Sequence, residues 1–259
     1  MISVLQLGTL DYATALQLQQ RLVGLRKGGL IGDVLLLLQH TPVITLGRNA
    51  KAANVLVTRE QLSARGIELF ECDRGGDVTF HGPGQLVAYP IFDLRAFPSA
   101  IAGRNSMGAV EFVRNLEAVL ISVCRDFGIG SQRIPGLTGV WTGGLVEPAK
   151  IAAIGIHISR AVTSHGFALN VTTDLDYFRL IVPCGITARP VTSMQKELGR
   201  TVSISDVEQT VMGAFATFFQ SEIIRVASLD DLLRPGPGIP LKVPSEFRKI
   251  HQEEETFWA

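Results

Sequence analysis

The hydrophobic positions of this chain follow helical spacing in some stretches and extended spacing in others. Apolar residues recur at helical intervals in three stretches: residues 15–25, 113–127 and 204–219. Asp11 is the expected N-cap of the first helix, and Gly28 is expected to end it. Ser205 and Glu208 have the spacing of a capping box at the start of the third helix.

Short apolar runs bounded by turn residues predict strands around these helices. The predicted strands lie in residues 33–40, 41–48, 86–94, 138–142, 149–159 and 164–172. Residues 74–85 are rich in glycine and predict turns that lead into the strand from Leu86. Strands interspersed with helices predict a mixed α/β (α+β) domain. We expect a single domain over residues 1–233, followed by a Pro/Gly connector and a tail over 234–259.

Composition narrows the classes of function. The 259 residues are 46% hydrophobic, with 24 basic and 24 acidic side chains, so no global field favours nucleic acid or an anionic membrane. The N-terminus has no signal-peptide pattern, and three scattered cysteines fit a reducing cytoplasm. The five histidines show no HExxH spacing and the cysteines no CxxC pair, so we expect no metal site.

The segment "RGGDVTFHGPGQ" (residues 74–85) combines glycines with charged and polar side chains. Glycine lets a backbone approach a ligand closely, and the polar side chains between offer donors and acceptors. The segment is neither a P-loop nor a dinucleotide fingerprint. From composition alone, a ligand-binding loop and an ordinary connecting loop both remain open.

Two isolated polar residues stand beside apolar runs. Lys150 opens the run "KIAAIGIHIS" and is interpreted either as a solvated lysine at a strand end, the commoner case, or as a partly desolvated base. His165 precedes "GFALNV" and has no local partner, which favours a core histidine; His81 lies in the polar glycine-rich loop.

The cysteines differ in their surroundings. Cys124 lies beside the apolar stripe of the second helix and is interpreted as a packing residue, whereas Cys72 shows no reason to be activated. Cys184 stands between Pro183 and Gly185, in a turn that can hold a thiol toward a cleft. A thiolate needs a nearby cation or base, so local sequence leaves both a nucleophile and a buried thiol open.

Taken in order, five segments resemble the lipoate-biosynthesis octanoyltransferases: "RGGDVTFHGPGQLVAYP", "GLTGVWT", "KIAAIGIHISR", "SHGFALNV" and "PCGI". The resemblance runs from about Gln39 to Ser193 and is weak over the first 30 residues. It implies the fold of the biotin and lipoate protein ligase catalytic domain, a mixed sheet flanked by helices.

The resemblance also implies roles for individual residues. Cys184 matches the acyl-accepting nucleophile and Lys150 the lysine that activates it. The implied substrate-binding residues are Arg74, Gly75, Gly76, Asp77, Val78, Thr79, Phe80, His81, Ala153, Ile154, Gly155, Gly166, Phe167 and Ala168. The chain departs from the family pattern at Asp77, Phe80 and Val182, where glutamine, tyrosine and a polar residue are usual.

The implied reaction moves an octanoyl group from octanoyl-acyl-carrier protein, through a cysteine thioester, to a lysine ε-amine on lipoyl domains of 2-oxoacid dehydrogenase complexes and glycine cleavage H protein. No cofactor is implied. Candidates for a basic rim facing these acidic partners are Arg48, Lys51, Arg74, Arg160, Arg179 and Arg189. Two alternatives are an ATP-dependent lipoate or biotin ligase of the same fold and a non-catalytic lipoyl-domain binding homologue.

Overall fold

The computed structural model of the chain describes residues 1–143, 147–182 and 189–233. Cys184 and the predicted connector and tail (234–259) lie outside the described residues. Within them, eight strands form one mixed sheet and three form a smaller one. The strands are β1 (Ile2–Leu10), β2 (Asp33–His40), β3 (Val43–Leu46), β4 (Glu68–Glu71), β5 (Val78–His81), β6 (Gln85–Ile91), β7 (Gln132–Ile134), β8 (Leu137–Thr142), β9 (Ala149–Ser159), β10 (Val162–Asn170) and β11 (Ile223–Arg225).

The large sheet has the strand order β11-β1-β2-β6-β10-β9-β8-β7. β1 is parallel to β2, because a helix crosses over between these two strands. β1 is also parallel to β11. The other neighbours are antiparallel, and the long hairpin of β9 and β10 pairs Ala153 with Ala168 and Gly155 with Gly166. The observed mixed sheet with flanking helices confirms the predicted fold class.

The helices are α1 (Tyr12–Lys27), α2 (Arg59–Ser63), α3 (Ala109–Asp126), α4 (Met194–Leu198), α5 (Ile204–Phe218) and α6 (Leu229–Leu233). Asp11 accepts a hydrogen bond from the Thr14 amide and caps α1, as predicted. The predicted capping box of α5 is wrong. Ser203 is its N-cap and accepts from the Asp206 amide, so Ser205 already lies within the first turn.

The large sheet is covered on both faces. α3 and α5 pack on one face, where Leu116, Phe215 and Cys124 are completely buried. The burial of Cys124 confirms its interpretation as a packing residue. α1 covers the opposite face through Ala15 and Leu22, which pack against apolar residues of β2 and β6.

The small sheet lies on the α1 side of the molecule. β3 pairs with β4 in parallel and with β5 antiparallel, and the ring centroid of Tyr12 at the start of α1 lies 5.1 Å from that of Phe70 in β4. β5 occupies a stretch for which the sequence predicted only turns. A strand alternates its side chains, so Val78 and Phe80 enter an apolar cluster, leaving the side chains between them to face the other way.

Candidate active site

One cavity on the α1 side collects the predicted segments. Of the predicted substrate-binding residues it is lined by Arg74, Gly75, Gly76, Asp77, Thr79, His81, Ala153, Ile154, Gly155, Gly166, Phe167 and Ala168. The remaining wall comes from Tyr12, Val87 and Tyr89, which the sequence did not identify. It also includes His165, which the sequence favoured as a core histidine. The loop after β4 therefore meets the β9–β10 hairpin, although about 75 residues separate them in sequence.

Two glycines let the cavity walls approach one another. The Gly75 amide donates to the Ile156 carbonyl at 2.9 Å, which lays the loop directly on β9. A Cβ atom on Gly155 would lie 2.6 Å from the Gly75 carbonyl oxygen, and one on Gly166 would lie 2.1 Å from the Ala88 carbonyl oxygen. Both contacts are too short for any larger residue, so these positions require glycine.

Arg74 holds the loop against the small sheet. Its guanidinium donates to the Thr45 carbonyl at 2.7 Å and to the Thr45 hydroxyl at 2.9 and 3.1 Å. The side chain is buried, with the residue 7% exposed. The prediction that Arg74 contributes to a basic surface rim is therefore wrong, because these bonds turn its charge inward.

Asp77 and its neighbours fix the next part of the loop. The Asp77 carboxylate accepts hydrogen bonds from the Val78 and Lys51 amides at 2.8 and 3.2 Å and from the Asn54 side chain. Val78 and Phe80 point away from the cavity, and Phe80 stacks on Tyr177 with ring centroids 4.5 Å apart. A phenylalanine suits position 80 here because its ring is completely buried among apolar side chains.

His81 begins a chain of hydrogen bonds that ends at the backbone of Lys150. Its Nδ1 lies 2.7 Å from Gln85 Oε1, and Gln85 Nε2 donates to Asn170 Oδ1 at 2.9 Å. Asn170 Nδ2 donates to the Thr192 carbonyl, whose own amide donates to the Lys150 carbonyl. Burial lowers the pKa of His81 well below its usual value, so the ring is neutral and Nδ1–H donates to Gln85.

Lys150 lies on β9, three residues before the cavity-lining Ala153. It is 8% exposed, and its Nζ lies 4.7 Å from the centroid of the Trp141 ring. On the neighbouring strand, a Cβ on Gly139 would lie 2.6 Å from the Ala152 carbonyl oxygen, so this position requires glycine. The interpretation of Lys150 as a solvated strand-end lysine is therefore wrong, and a desolvated side chain is what the structure shows.

The backbone around Lys150 joins it to the segment that follows Cys184 in sequence. The Lys150 amide donates to the Pro190 carbonyl at 2.9 Å. On the other side of Cys184, the Val182 amide donates to the Asn54 carbonyl at 2.8 Å. Cys184 itself lies outside the described residues, so its approach to Lys150 stays a prediction.

His165 is more than the core histidine that its local sequence favoured. It lines the cavity, is 2% exposed, and has a φ of 56°, which is uncommon for a residue with a side chain. Its Nε2 lies 2.7 Å from Asp73 Oδ1, and its amide donates to Gln19 Oε1 at 2.7 Å. Burial lowers its pKa despite the Asp73 carboxylate, so the neutral ring donates through Nε2–H.

Among the described residues, no group of three or more histidine, cysteine or acidic side chains could hold a metal ion. In the same part of the chain, no helix is long and apolar enough to cross a membrane.

Comparison with known proteins identifies the fold and the class of enzyme. A profile of the lipoyl protein ligase A/B catalytic domain matches residues 11–216. The chain belongs to this family. A protein from Koribacter versatilis named octanoyltransferase is 57% identical over 255 residues, covering 98% of each chain. Another of that name, from Acidobacterium capsulatum, is 52% identical, covering 90% of this chain and 96% of its own.

These relatives confirm the resemblance drawn from the sequence motifs, and the chain is an acyltransferase. Among solved structures, a bipartite lipoate protein ligase from Thermoplasma acidophilum superposes with a TM-score of 0.66 at 18% identity, covering 90% of this chain and 89% of its own. Lipoate-protein ligase A bound with ATP gives 0.64 at 16% identity, covering 88% and 87%. At such identities these two structures support the fold alone.

Proposed function

We propose that this acyltransferase moves an octanoyl group from octanoyl-acyl-carrier protein to a lysine ε-amine on lipoyl domains, through a thioester on Cys184. The observation that carries the proposal is the cavity that loop 74–81 and the β9–β10 hairpin form together, in a chain 57% identical to a named octanoyltransferase. Its walls combine apolar side chains with close-packed glycine backbone. An eight-carbon chain gains about 0.8 kcal/mol for each methylene buried there.

In the first step, the Cys184 sulfur attacks the carrier-protein thioester. A bond forms between Cys184 Sγ and the acyl carbon, and the bond from that carbon to the carrier sulfur breaks. The thiol proton of Cys184 passes by way of Lys150 to the departing thiolate. Because one thioester replaces another, the step is close to neutral in free energy and needs no nucleotide.

In the second step, the neutral amine of the acceptor lysine attacks the octanoyl-enzyme. A carbon–nitrogen bond forms, the bond to Cys184 Sγ breaks, and an amine proton passes through Lys150 to the cysteine thiolate. The product is an amide, so the step is downhill. The position of Lys150 supports this role, because its side chain is shielded from solvent and its backbone amide donates to the carbonyl of Pro190, six residues after Cys184.

Intact mass spectrometry after incubation with octanoyl-acyl-carrier protein tests the thioester. We expect an octanoyl adduct on the wild-type protein that hydroxylamine removes and that Cys184→Ser does not form. Cys124→Ser is the matched control, because this thiol is buried in the core and should leave the adduct intact.

The same assay separates the alternatives. A wild-type protein that octanoylates a lipoyl domain without ever carrying the adduct would overturn the covalent route. A strict requirement for added ATP would favour the ligase reaction instead. Absence of any transfer, with lipoyl-domain binding retained, would favour the non-catalytic homologue.

A further inference from the structure

The acyl cavity has two chemically different ends. Lys150 lies before Ala153 at one end of β9, whereas Ile156, the register partner of His165, lies at the other. Loop residue Gly75 crosses β9 at Ile156, so the loop and His165 close the same end. An acyl chain that enters the cavity from the Lys150 side of β9 therefore points its methyl terminus toward His165.

A break in the strand pattern brings His165 to this position. Phe167 of β10 packs against Phe215 of α5, and strict alternation would place His165 on that same face. The left-handed φ at His165 breaks the alternation without shifting the register, since Val162 pairs with Asp93 on one side and Phe167 with Ala88 on the other. The distortion re-aims one side chain, here to the α1 face beside Tyr89.

Several contacts hold the ring in this unusual conformation. Asp73 accepts from Nε2, Gln19 accepts from the backbone amide, and the Tyr89 ring meets the imidazole edge-to-face at 6.3 Å. A φ of this kind is unfavourable for a residue with a side chain and persists only where its surroundings determine it. The fold therefore supports a strained residue in the wall of the cavity.

The cavity wall on β9 is short. Three residues of strand from Ala153 to Ile156, the register partner of His165, rise about 10 Å. An extended octanoyl group spans roughly 9 Å from its carbonyl to its methyl carbon, given carbon–carbon bonds of about 1.5 Å. The two lengths are of the same order, so the far end of an acyl chain that lies along this wall reaches His165.

We propose that His165 is the length stop of the acyl cavity, a specificity-determining residue held in place by Asp73 and Gln19. This inference rests on the proposed function, since it concerns the acyl group that function transfers. Replacing the ring with a small side chain opens the closed end, so longer acyl chains fit.

The test compares transfer of octanoyl, decanoyl and dodecanoyl groups from acyl-carrier protein to a lipoyl domain. For His165→Ala we expect the ratio of decanoyl to octanoyl kcat/KM to rise about tenfold or more over wild type. His165→Asn, whose side chain tolerates a left-handed backbone, should give a smaller rise and serves if the alanine variant does not fold. His165→Phe fills the same space without the bond to Asp73 and should keep the wild-type ratio.

His157→Ala is the matched control. His157 also approaches Asp73, with Nε2 3.7 Å from Oδ2, but it is not among the cavity-lining residues. The ratio of decanoyl to octanoyl kcat/KM for His157→Ala should therefore equal that of wild type. A folded His165→Ala or His165→Asn with the wild-type ratio would refute the length stop while leaving octanoyl transfer standing. A wild-type protein that transfers no acyl group would instead refute the proposed function.

Discussion

Lys150 owes its environment to small details of two neighbouring strands. Gly139 lets β8 approach the Ala152 carbonyl of β9 closely, and Trp141 presents its ring face 4.7 Å from the ammonium. An ammonium over a tryptophan face gains about 0.5–2 kcal/mol, which favours this direction of the side chain. The side chain is thus positioned by its own hairpin partners before any substrate arrives.

Substitutions at Lys150 distinguish its two possible contributions. Lys150→Ala should lower kcat for octanoyl transfer by about 10²–10⁴, the usual range for a proton-transfer group. Lys150→Arg keeps a positive charge but cannot release its proton. If Lys150 transfers protons, kcat for the arginine variant should be nearly as low as for Lys150→Ala. Substantial activity in the arginine variant would mean that the charge alone suffices. Lys27→Ala, on the partly exposed end of α1, is the control and should transfer normally.

At the scale of elements, the sequence predicted those with strong periodicity. α1, α3, α5 and the long hairpin of β9 and β10 lie where the apolar spacing placed them. β5 was missed because its four residues are flanked by glycines, and its strand character comes from pairing with β3. The extra serine near the start of α5 misled the cap prediction, since either hydroxyl suits the position locally.

The same reasoning explains what the sequence could not reveal of the site. The family resemblance implied one substrate site for loop 74–81 and the β9–β10 hairpin, whereas composition alone left the role of the loop open. Tyr12 and Tyr89 also line the cavity, but the sequence analysis assigned their stretches only a helix and a strand. The polar hydroxyl of Tyr89 in an otherwise apolar strand was a signal that could have marked it as a site residue. The direction of the His165 ring depends on a left-handed φ and on a hydrogen bond to Asp73, 92 residues away in sequence. No local sequence pattern predicts either feature.

The close contact between β10 and β6 gives a stability prediction at this scale. Gly166→Ala places a methyl group 2.1 Å from the Ala88 carbonyl oxygen, so we expect a loss of about 1–3 kcal/mol or more in the free energy of unfolding. Gly213→Ala is the matched substitution at an exposed position of α5, with nothing within 4 Å, and should gain about 0.5–1 kcal/mol. Urea unfolding measures both, and equal effects would contradict the close-approach argument.

At the scale of the whole molecule, buried neutral histidines make stability depend on pH. His40 is completely buried, with Nδ1 bonded to the Leu10 carbonyl and Nε2 to the Tyr89 hydroxyl. Burial lowers its pKa from 6.5 to about 4, and burial shifts His81 and His165 in the same direction. Between pH 6.5 and 4 the unfolded chain binds more protons than the folded one, so stability falls as the pH falls.

His40 contributes about 1.4 kcal/mol per pH unit inside that window and about 3 kcal/mol across it, and His81 and His165 add to the slope in the same direction. We therefore expect the free energy of unfolding in urea to decrease steadily from pH 7 to pH 5, a range that stays above the titration of most carboxylates. His40→Gln removes one titrating group, so its slope should be shallower than that of wild type by up to about 1.4 kcal/mol per pH unit. At pH 8, where both slopes flatten, the two proteins should differ by a constant offset from the lost packing. Parallel curves from pH 8 to pH 5 would show that His40 takes up its proton equally in both states, and that its burial does not destabilise the folded protein in acid.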